Sequence, residues 1–530
     1  MKKYIYKNKG FLFLSLLCSM LAAIFAVHVQ FLKGDVLDYA LSGNFNNSLS
    51  KGALLGIIIF LELGFYYLYD LTKGKFIVES IKEVRADFFD SLLNRSYPRF
   101  LAMSQGEYLA KYTNEIELVE NQFLSNIPLL GEILLKILLV SISIFILDYR
   151  IALITIFLLI TPLYVPKLVE KHLQRVQIEY VNQFEKHLHS VNDWLKGFEI
   201  IKNFSSEKKI LELFALSNNL TMTKNLSKKQ ISYTTKTVTA ILSYLSHYII
   251  LVSAAYLVIQ GEFTAGKFFI SIGMIDQLSY PIISLSYFIQ ELVSVKPVNQ
   301  SIADFVKSSE DREVKNQVVL DDIQEITFAD VDFAYEDRLI LEDINMTFKK
   351  DNSYLLCGHS GSGKTTSMNL LLNYYDINGG KILLDGYSVA QVENLNKLIT
   401  IMRQDPMFFQ DTLRNNLTMY RKISDDKLIQ ILKDIGLEKL ADKEKLDFLI
   451  EEDGVNLSGG EKRRVALARV LLRKTPVLIL DEPLANLDQE SAASIENLLL
   501  SINDRIVIII SHRFSSSKSA RFKNIYRFDK

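Results

Sequence analysis

The apolar and polar positions divide the chain near residue 300. Before that point lie six long, predominantly apolar stretches, at 11–32, 52–71, 127–147, 151–169, 238–259 and 268–295. At about 1.5 Å per residue, each is long enough to cross a bilayer core of about 30 Å. The intervening segments 73–126 and 171–235 carry lysine and arginine. Apolar residues recur in them at helical spacing over 76–93 and 176–198, which predicts helices that continue beyond the membrane. Asp148-Tyr149-Arg150 leaves room only for a reversal. The tips of the two long segments are expected around Met103-Ser104-Gln105-Gly106 and Asn203-Phe204-Ser205-Ser206.

Past 300 the pattern changes. A polar, mixed-charge stretch leads to short apolar runs at 354–357, 477–480, 506–510 and 524–528, separated by segments of helical spacing. The expected architecture is multi-domain. An all-α transmembrane domain of six helices spans 1–300, a linker spans 301–322, and an α/β P-loop NTPase domain spans 323–530. The bias of basic residues places the N-terminus, both long segments and the C-terminal domain on the cytosolic side of a cell membrane.

Composition narrows the partners. A net charge of −1 over 530 residues leaves no large basic surface, so no nucleic-acid partner is expected. Cys18 and Cys357 fall in different regions and form neither a disulfide framework nor a metal-ligand spacing. The polar residues inside the spans, His28, Gln30, Glu62, His247, Asp276 and Gln277, are candidates for lining a cavity.

Gly358-His359-Ser360-Gly361-Ser362-Gly363-Lys364-Thr365 carries the main chemical signal. It lies between an apolar strand and a helical run that starts with Thr366. A glycine-rich turn at a helix start aims backbone N–H groups and the positive end of the helix dipole at phosphate oxygens. Lys364 would reach the β- and γ-phosphates of ATP, and the Thr365 hydroxyl would hold Mg²⁺. Thr366 is grouped with the loop as a nucleotide-binding residue. Downstream, the strand 477–480 runs into Asp481 and Glu482. Asp481 is placed to hold Mg²⁺, and Glu482 to act as the base that polarises the attacking water. In Leu457-Ser458-Gly459-Gly460-Glu461, a second anion site opens a helix. One ATP does not need two such sites, so Ser458, Gly459 and Gly460 would serve a nucleotide bound by a partner.

With these motifs the chain resembles the ATP-binding cassette (ABC) transporters, specifically half-transporters with an exporter-type membrane domain. The resemblance covers essentially the whole length. It implies that Tyr335 stacks on adenine and that Gln404 is the Q-loop glutamine, acting at the metal and in catalysis. It further implies that Ala485-Asn486-Leu487-Asp488 is the D-loop, with Asp488 at the nucleotide, and that His512 is the catalytic switch histidine. Ile450-Glu451-Glu452-Asp453-Gly454 resembles the exporter X-loop. Glu461 stands where glutamine is commoner, and the family's usual C-terminal helices are missing, so a shortened nucleotide domain is expected. By resemblance, two chains, identical or different, pair to move a small amphipathic or peptide-like solute out of the cytosol by alternating access. Import of a metal chelate on the same fold, and a non-transporting regulatory ATPase, remain as alternatives.

Overall fold

The computed structural model describes residues 1–307, 317–336, 338–485, 487–511 and 522–528. Some side chains within 156–174 and 283–293 also lie outside the description. The chain forms two compact units, Met1–Asn94 with Ser104–Ser308, and Arg95–Met103 with Ser309–Lys530.

The first unit is all helix. It comprises α1 (Lys2–Lys7), α2 (Lys9–Leu41), α3 (Phe45–Leu93) and α5 (Gln105–Leu147). It continues with α6 (Tyr149–Lys196), α7 (Phe198–Asn203), α8 (Glu207–Ile259), α9 (Ala265–Ser294) and α10 (Lys296–Lys307). The short α4 (Tyr97–Leu101) belongs to the second unit. Among the described residues, five helices are long and apolar enough to cross a membrane: α2, α3, α5, α8 and α9. The remaining expected span, 151–169, falls in α6, where many side chains lie outside the description. Helices α3, α6 and α8 run for 49, 48 and 53 residues. At about 1.5 Å per residue each is more than twice as long as a bilayer core of about 30 Å is thick.

The first tip does not lie at Met103–Gly106. Ser104 caps α5 with its side chain accepting from Glu107 N, while Ser104 N donates to the Glu107 carboxylate at 2.6 Å. This capping box makes residue 104 the start of the returning helix. The reversal therefore falls earlier, at Arg95–Met103 around α4. At the opposite end of the bundle the turn at Asp148 is as tight as expected. The Asp148 carboxylate accepts from Arg150 N and Ile151 N, and the Arg150 guanidinium bridges Asp148 (2.9 Å) and Glu262 (2.5 Å).

Two of the polar span residues prove to be packing elements. Helices α2 and α9 approach so closely that a Cβ on Gly273 would overlap the Gln30 side chain. A Cβ on Gly266 would likewise overlap the Gly34 carbonyl, and such close backbone approach is how helices gain contact where solvent supplies no hydrophobic drive. One turn further along, Gln277 donates to the Ala26 carbonyl at 3.1 Å. Gln30 is buried. Gln277 thus bonds α9 to α2, and Gln30 packs between them against Gly273. The same pair of helices is fastened at its loop end by Asp38. Its carboxylate accepts from Gly266 N and from Thr264 Oγ1, both at 2.7 Å, and so caps α9 from another helix.

The second unit is α/β. A parallel sheet has the order β11-β3-β10-β9-β6, built from Asn524–Phe528, Ser353–Gly358, Ile506–Ile510, Val477–Asp481 and Ile399–Met402. An antiparallel sheet has the order β2-β1-β4-β5, from Arg338–Lys349, Glu325–Tyr335, Gly379–Leu384 and Tyr387–Ser388. Strands β7 (Asp411–Thr412) and β8 (Leu449–Ile450) pair separately. Alternate residues of the parallel strands serve two cores. Tyr354, Leu356, Ile479 and Ile508 pack with the antiparallel sheet. Leu355, Leu478, Leu480 and Ile509 pack with the helices on the other side. Burial on both faces is why these strands read as continuous apolar runs. The fold class is thus the expected one, a helical membrane domain followed by an α/β ATPase domain.

The Asp38 cap predicts a measurable stability difference. Asp38→Ala should lower stability by about 1 kcal/mol, the usual value of a lost N-cap. Asp35→Ala breaks only a solvent-exposed pair with Lys51 and should cost less than about 1 kcal/mol. Thermal denaturation of the detergent-solubilised protein compares the two. Equal shifts would mean that the cap contributes nothing beyond a surface ion pair.

Candidate functional site

The site forms where β3 and β9 end at the same edge of the parallel sheet. Strand β3 leads into the glycine-rich loop, which ends at Gly363 with φ +94°. That backbone region disfavours any side chain, and helix α11 (Lys364–Leu371) begins immediately after it. Lys364 is buried and folds back over the loop. Its Nζ donates to the carbonyls of Gly358 (2.8 Å) and His359 (2.7 Å) and reaches Ser362 Oγ at 3.2 Å. Burial pushes its ammonium below the usual range, against the opposing pull of Glu482 and Asp481. His359, Ser360, Gly361 and Thr365 face solvent; Thr366 is half-buried.

The Thr365 hydroxyl donates to Asp481 Oδ2 at 2.9 Å. Two groups separated by 116 positions are therefore joined, one from each strand end. Asp481 is buried. A hydroxyl and a carboxylate meeting beside a phosphate loop suit a cation whose other ligands come from nucleotide and water. Glu482 leaves the strand with φ +51°, rare for a residue with a side chain. Its N–H donates to Ile510 O at 2.9 Å, and Arg463 Nη1 donates to its carbonyl at 3.4 Å.

Tyr335 ends β1 with its ring held edge-on by two others. Phe333 lies at 4.8 Å and Tyr375 at 5.2 Å between ring centroids. Its ring remains partly exposed. Sequence reasoning missed Tyr375, which ends the run of helical spacing behind the phosphate loop. In the same unit, Tyr374 stacks on Tyr97 of α4 at 3.6 Å.

Gln404 is exposed on the loop after β6. Two missed residues fix the segment that follows it. Asn416, in helix α12 (Leu413–Thr418), accepts from Phe409 N at 3.0 Å and donates to Phe409 O at 2.9 Å, as a neighbouring strand would. Half-buried Arg469, from the helix Gly459–Leu471, donates to the carbonyls of Asn416 (2.7 Å) and Met407 (2.9 Å). Its cation also sits 4.8 Å from the centre of the Phe408 ring.

Helix α14 (Gly459–Leu471) follows α13 (Asp425–Asp434) and opens with Ser458 as N-cap. Ser458 Oγ accepts from Glu461 N at 3.3 Å, and Ser458 N donates to Glu461 Oε2 at 2.9 Å. That backbone N–H holds the Glu461 carboxyl below its usual range. The glutamate at the signature's fifth position is thus one half of a capping box. Ser458 and Gly459 are exposed, and a Cβ on Gly459 would meet nothing. Among the described residues, Ser458, Gly459 and Gly460 make no hydrogen bond to the phosphate loop. Asp488 caps helix α15 (Gln489–Leu500), accepting from Ser491 N at 2.9 Å, and that bond lowers its carboxyl below the ordinary value. Asn486 and His512 lie outside the described residues.

Two family models match the chain. Residues 341–485 match the ABC transporter model, and 12–282, just over half the chain, match the ABC transporter transmembrane region. Similar proteins include the multidrug resistance-like ATP-binding protein MdlB of Buchnera aphidicola subsp. Acyrthosiphon pisum. It is 28% identical over 496 residues, covering 89% of this chain and 84% of that one. The ATP-dependent lipid A-core flippase of Syntrophus aciditrophicus is 26% identical over 517 residues, covering 96% and 86%. In fold, the chain is similar to a bacterial Atm1-family ABC exporter with ATP bound. The TM-score is 0.79 at 21% identity, covering 99% of this chain and 93% of that one. The chain therefore belongs to the ABC transporters, as a multi-pass half-transporter of the exporter type whose ATP-binding domain is an ATPase coupled to transport.

Proposed function

We propose that this chain exports a small amphipathic solute from the cytosol, driven by ATP bound with Mg²⁺ between two nucleotide-binding domains. The observation that carries the reading is the joining of Thr365 to Asp481 beside the Lys364 loop, in a chain whose membrane helices reach far beyond a bilayer. The multidrug-type and lipid A-core relatives support an amphipathic cargo. The lysine and arginine of the two long segments support a cytosolic N-terminus and nucleotide-binding domain. ATP-driven solute uptake into inside-out membrane vesicles is the test; uptake into right-side-out vesicles instead would reverse the direction.

On this reading Lys364 exchanges its loop carbonyls for the β- and γ-phosphates, and the N–H groups of 358–366 complete the cradle. Thr365 and Asp481, with Gln404 beside them, would hold the cation, whose charge would offset that of the phosphates. Glu482 takes a proton from the attacking water, and His512 assists at the γ-phosphate. Tyr335 stacks on the base, with Tyr375 and Phe333 fixing its ring. Ser458, Gly459, Gly460 and Asp488 act on the nucleotide held by the partner chain.

Three outcomes follow. Glu482→Gln keeps shape but loses basicity, so ATP turnover should fall about 10²–10⁴-fold while ATP binding persists. Near-normal turnover would remove Glu482 from the role of base. For Tyr335→Ala, nucleotide affinity should drop by about 1–3 kcal/mol, with Tyr335→Trp close to wild type. Equal affinity in all three would give the base to another residue. Finally, Glu461→Gln retains the capping geometry, whereas Glu461→Ala loses it at about 1 kcal/mol. Turnover should survive the first change and fall several-fold in the second, in steady-state assays of the reconstituted protein.

A further inference from the structure

The carboxylate of Asp276 is an anomaly of the membrane unit. At about 1.5 Å per residue it sits roughly 16 Å along α9 from Ala265. His247 sits roughly 18 Å back along α8 from Ile259, at a matching depth. With a hydrocarbon core of about 30 Å, both lie near the middle of the membrane. Yet the Asp276 side chain is 68% exposed. A charge at that depth does not face lipid without large cost; it faces water, a ligand or another chain. Its own helices offer it no strong cation. Lys236 and Lys267 are the nearest basic residues along α8 and α9, each more than two turns away. His247 Nδ1 stands 3.8 Å from Asp276 Oδ1, beyond hydrogen-bond range.

The surroundings of this carboxylate have a definite chemistry. Ser279 Oγ contacts His247 Nε2 and donates to Ile275 O at 3.0 Å, so the imidazole is fastened between α8 and α9. Tyr244 meets the His247 ring edge-on at 6.5 Å. Tyr280, one helical turn from Asp276 on the same face of α9, is 72% exposed, and Tyr244 is 74% exposed. A carboxylate flanked by open aromatic rings at low dielectric matches a lipophilic cation, whose charge the carboxylate balances and whose apolar body the ring faces cover.

We propose that Asp276, with Tyr280 and Tyr244 around an imidazole-anchored corner at His247, forms a solute subsite for lipophilic cations at mid-membrane depth. This deepens the export reading and rests on it for the direction of transport. Full-length protein in lipid nanodiscs, without nucleotide, is titrated with tetraphenylphosphonium and with the anion of similar shape, tetraphenylborate. Wild type should bind the cation and not the anion. Asp276→Asn should weaken cation binding by at least about tenfold. The Asp276→Glu variant, which keeps the charge and serves as the folding control, should stay close to wild type. Tyr280→Leu should lose roughly threefold.

Equal binding of cation and anion, or no binding of either by wild type, overturns the subsite. So does unchanged cation affinity in Asp276→Asn. Weakened pairing of the chains in Asp276→Asn, with cation affinity per dimer unchanged, overturns it as well and assigns the carboxylate to the partner interface. Uptake of the cation into inside-out vesicles separates this claim from export. Asp276-dependent binding without ATP-driven uptake keeps the subsite and defeats export; uptake indifferent to Asp276 does the reverse.

Discussion

The nucleotide site depends on the register of three parallel strands. Strand β10 lies between β3 and β9, and Ile510 stands level with Leu356 on one side and Asp481 on the other. Where β3 hands over to the phosphate loop, β9 therefore delivers its carboxylate. The register cannot slip, because alternate residues of each strand are committed to different cores. A shift by one would move Leu478 and Leu480 out of one core and into the other. The hydrogen bond from Thr365 to Asp481 follows from this alignment. So does the position of Glu482, whose N–H still binds Ile510 O while its backbone turns out of the sheet.

The membrane unit solves a different problem with similar economy. With no hydrophobic drive between helices in lipid, α2 and α9 gain contact by backbone proximity at glycines and by a few side-chain hydrogen bonds. Gln277 and Asp38 each bond across that interface. Polar residues of the spans thus separate into two kinds, those consumed by interhelical contacts and those, like Asp276, held outward. Spacing alone does not distinguish them, since Asp276 and Gln277 are adjacent in sequence and differ only in which side of α9 they occupy.

Much of the site was legible because its motifs are local. The phosphate loop, the strand-end carboxylates and the signature each occupy a few consecutive residues, with flanking apolar runs that identify strand or helix. What escaped is held by side chains far apart in sequence. Arg469 reaches Asn416 across 53 positions and Met407 across 62, and no spacing rule announces such contacts. Tyr375 was hidden among residues of ordinary helical pattern. The first tip is a different case, because its signal was present. Ser104-Gln105-Gly106-Glu107 reads as a capping box, which places a helix start at Ser104 and forces the reversal upstream. The same pattern in Ser458-Gly459-Gly460-Glu461 gives the signature glutamate a capping role.

The geometry of helix α14 agrees with the proposed pairing of two chains at the nucleotide. The first N–H groups of a helix have no partner within it, and the N-terminal end carries partial positive charge. In α14 the Ser458 hydroxyl accepts from Glu461 N, which by position leaves the N–H groups of Gly459 and Gly460 turned outward. Gly459 has open space where a side chain would begin. Such an end attracts an anion that can approach the backbone closely. Among the described residues, no hydrogen bond joins this helix start to the Lys364 loop of its own chain. An anion held by a second copy's phosphate loop would meet both requirements, charge and close approach. Lys364 adds to the argument from its side. Its ammonium is already bonded to two loop carbonyls, so phosphate replaces existing bonds rather than adding new ones. A single loop therefore gains less from nucleotide than its donors suggest, a shortfall that the opposing helix end would offset on the proposed reading.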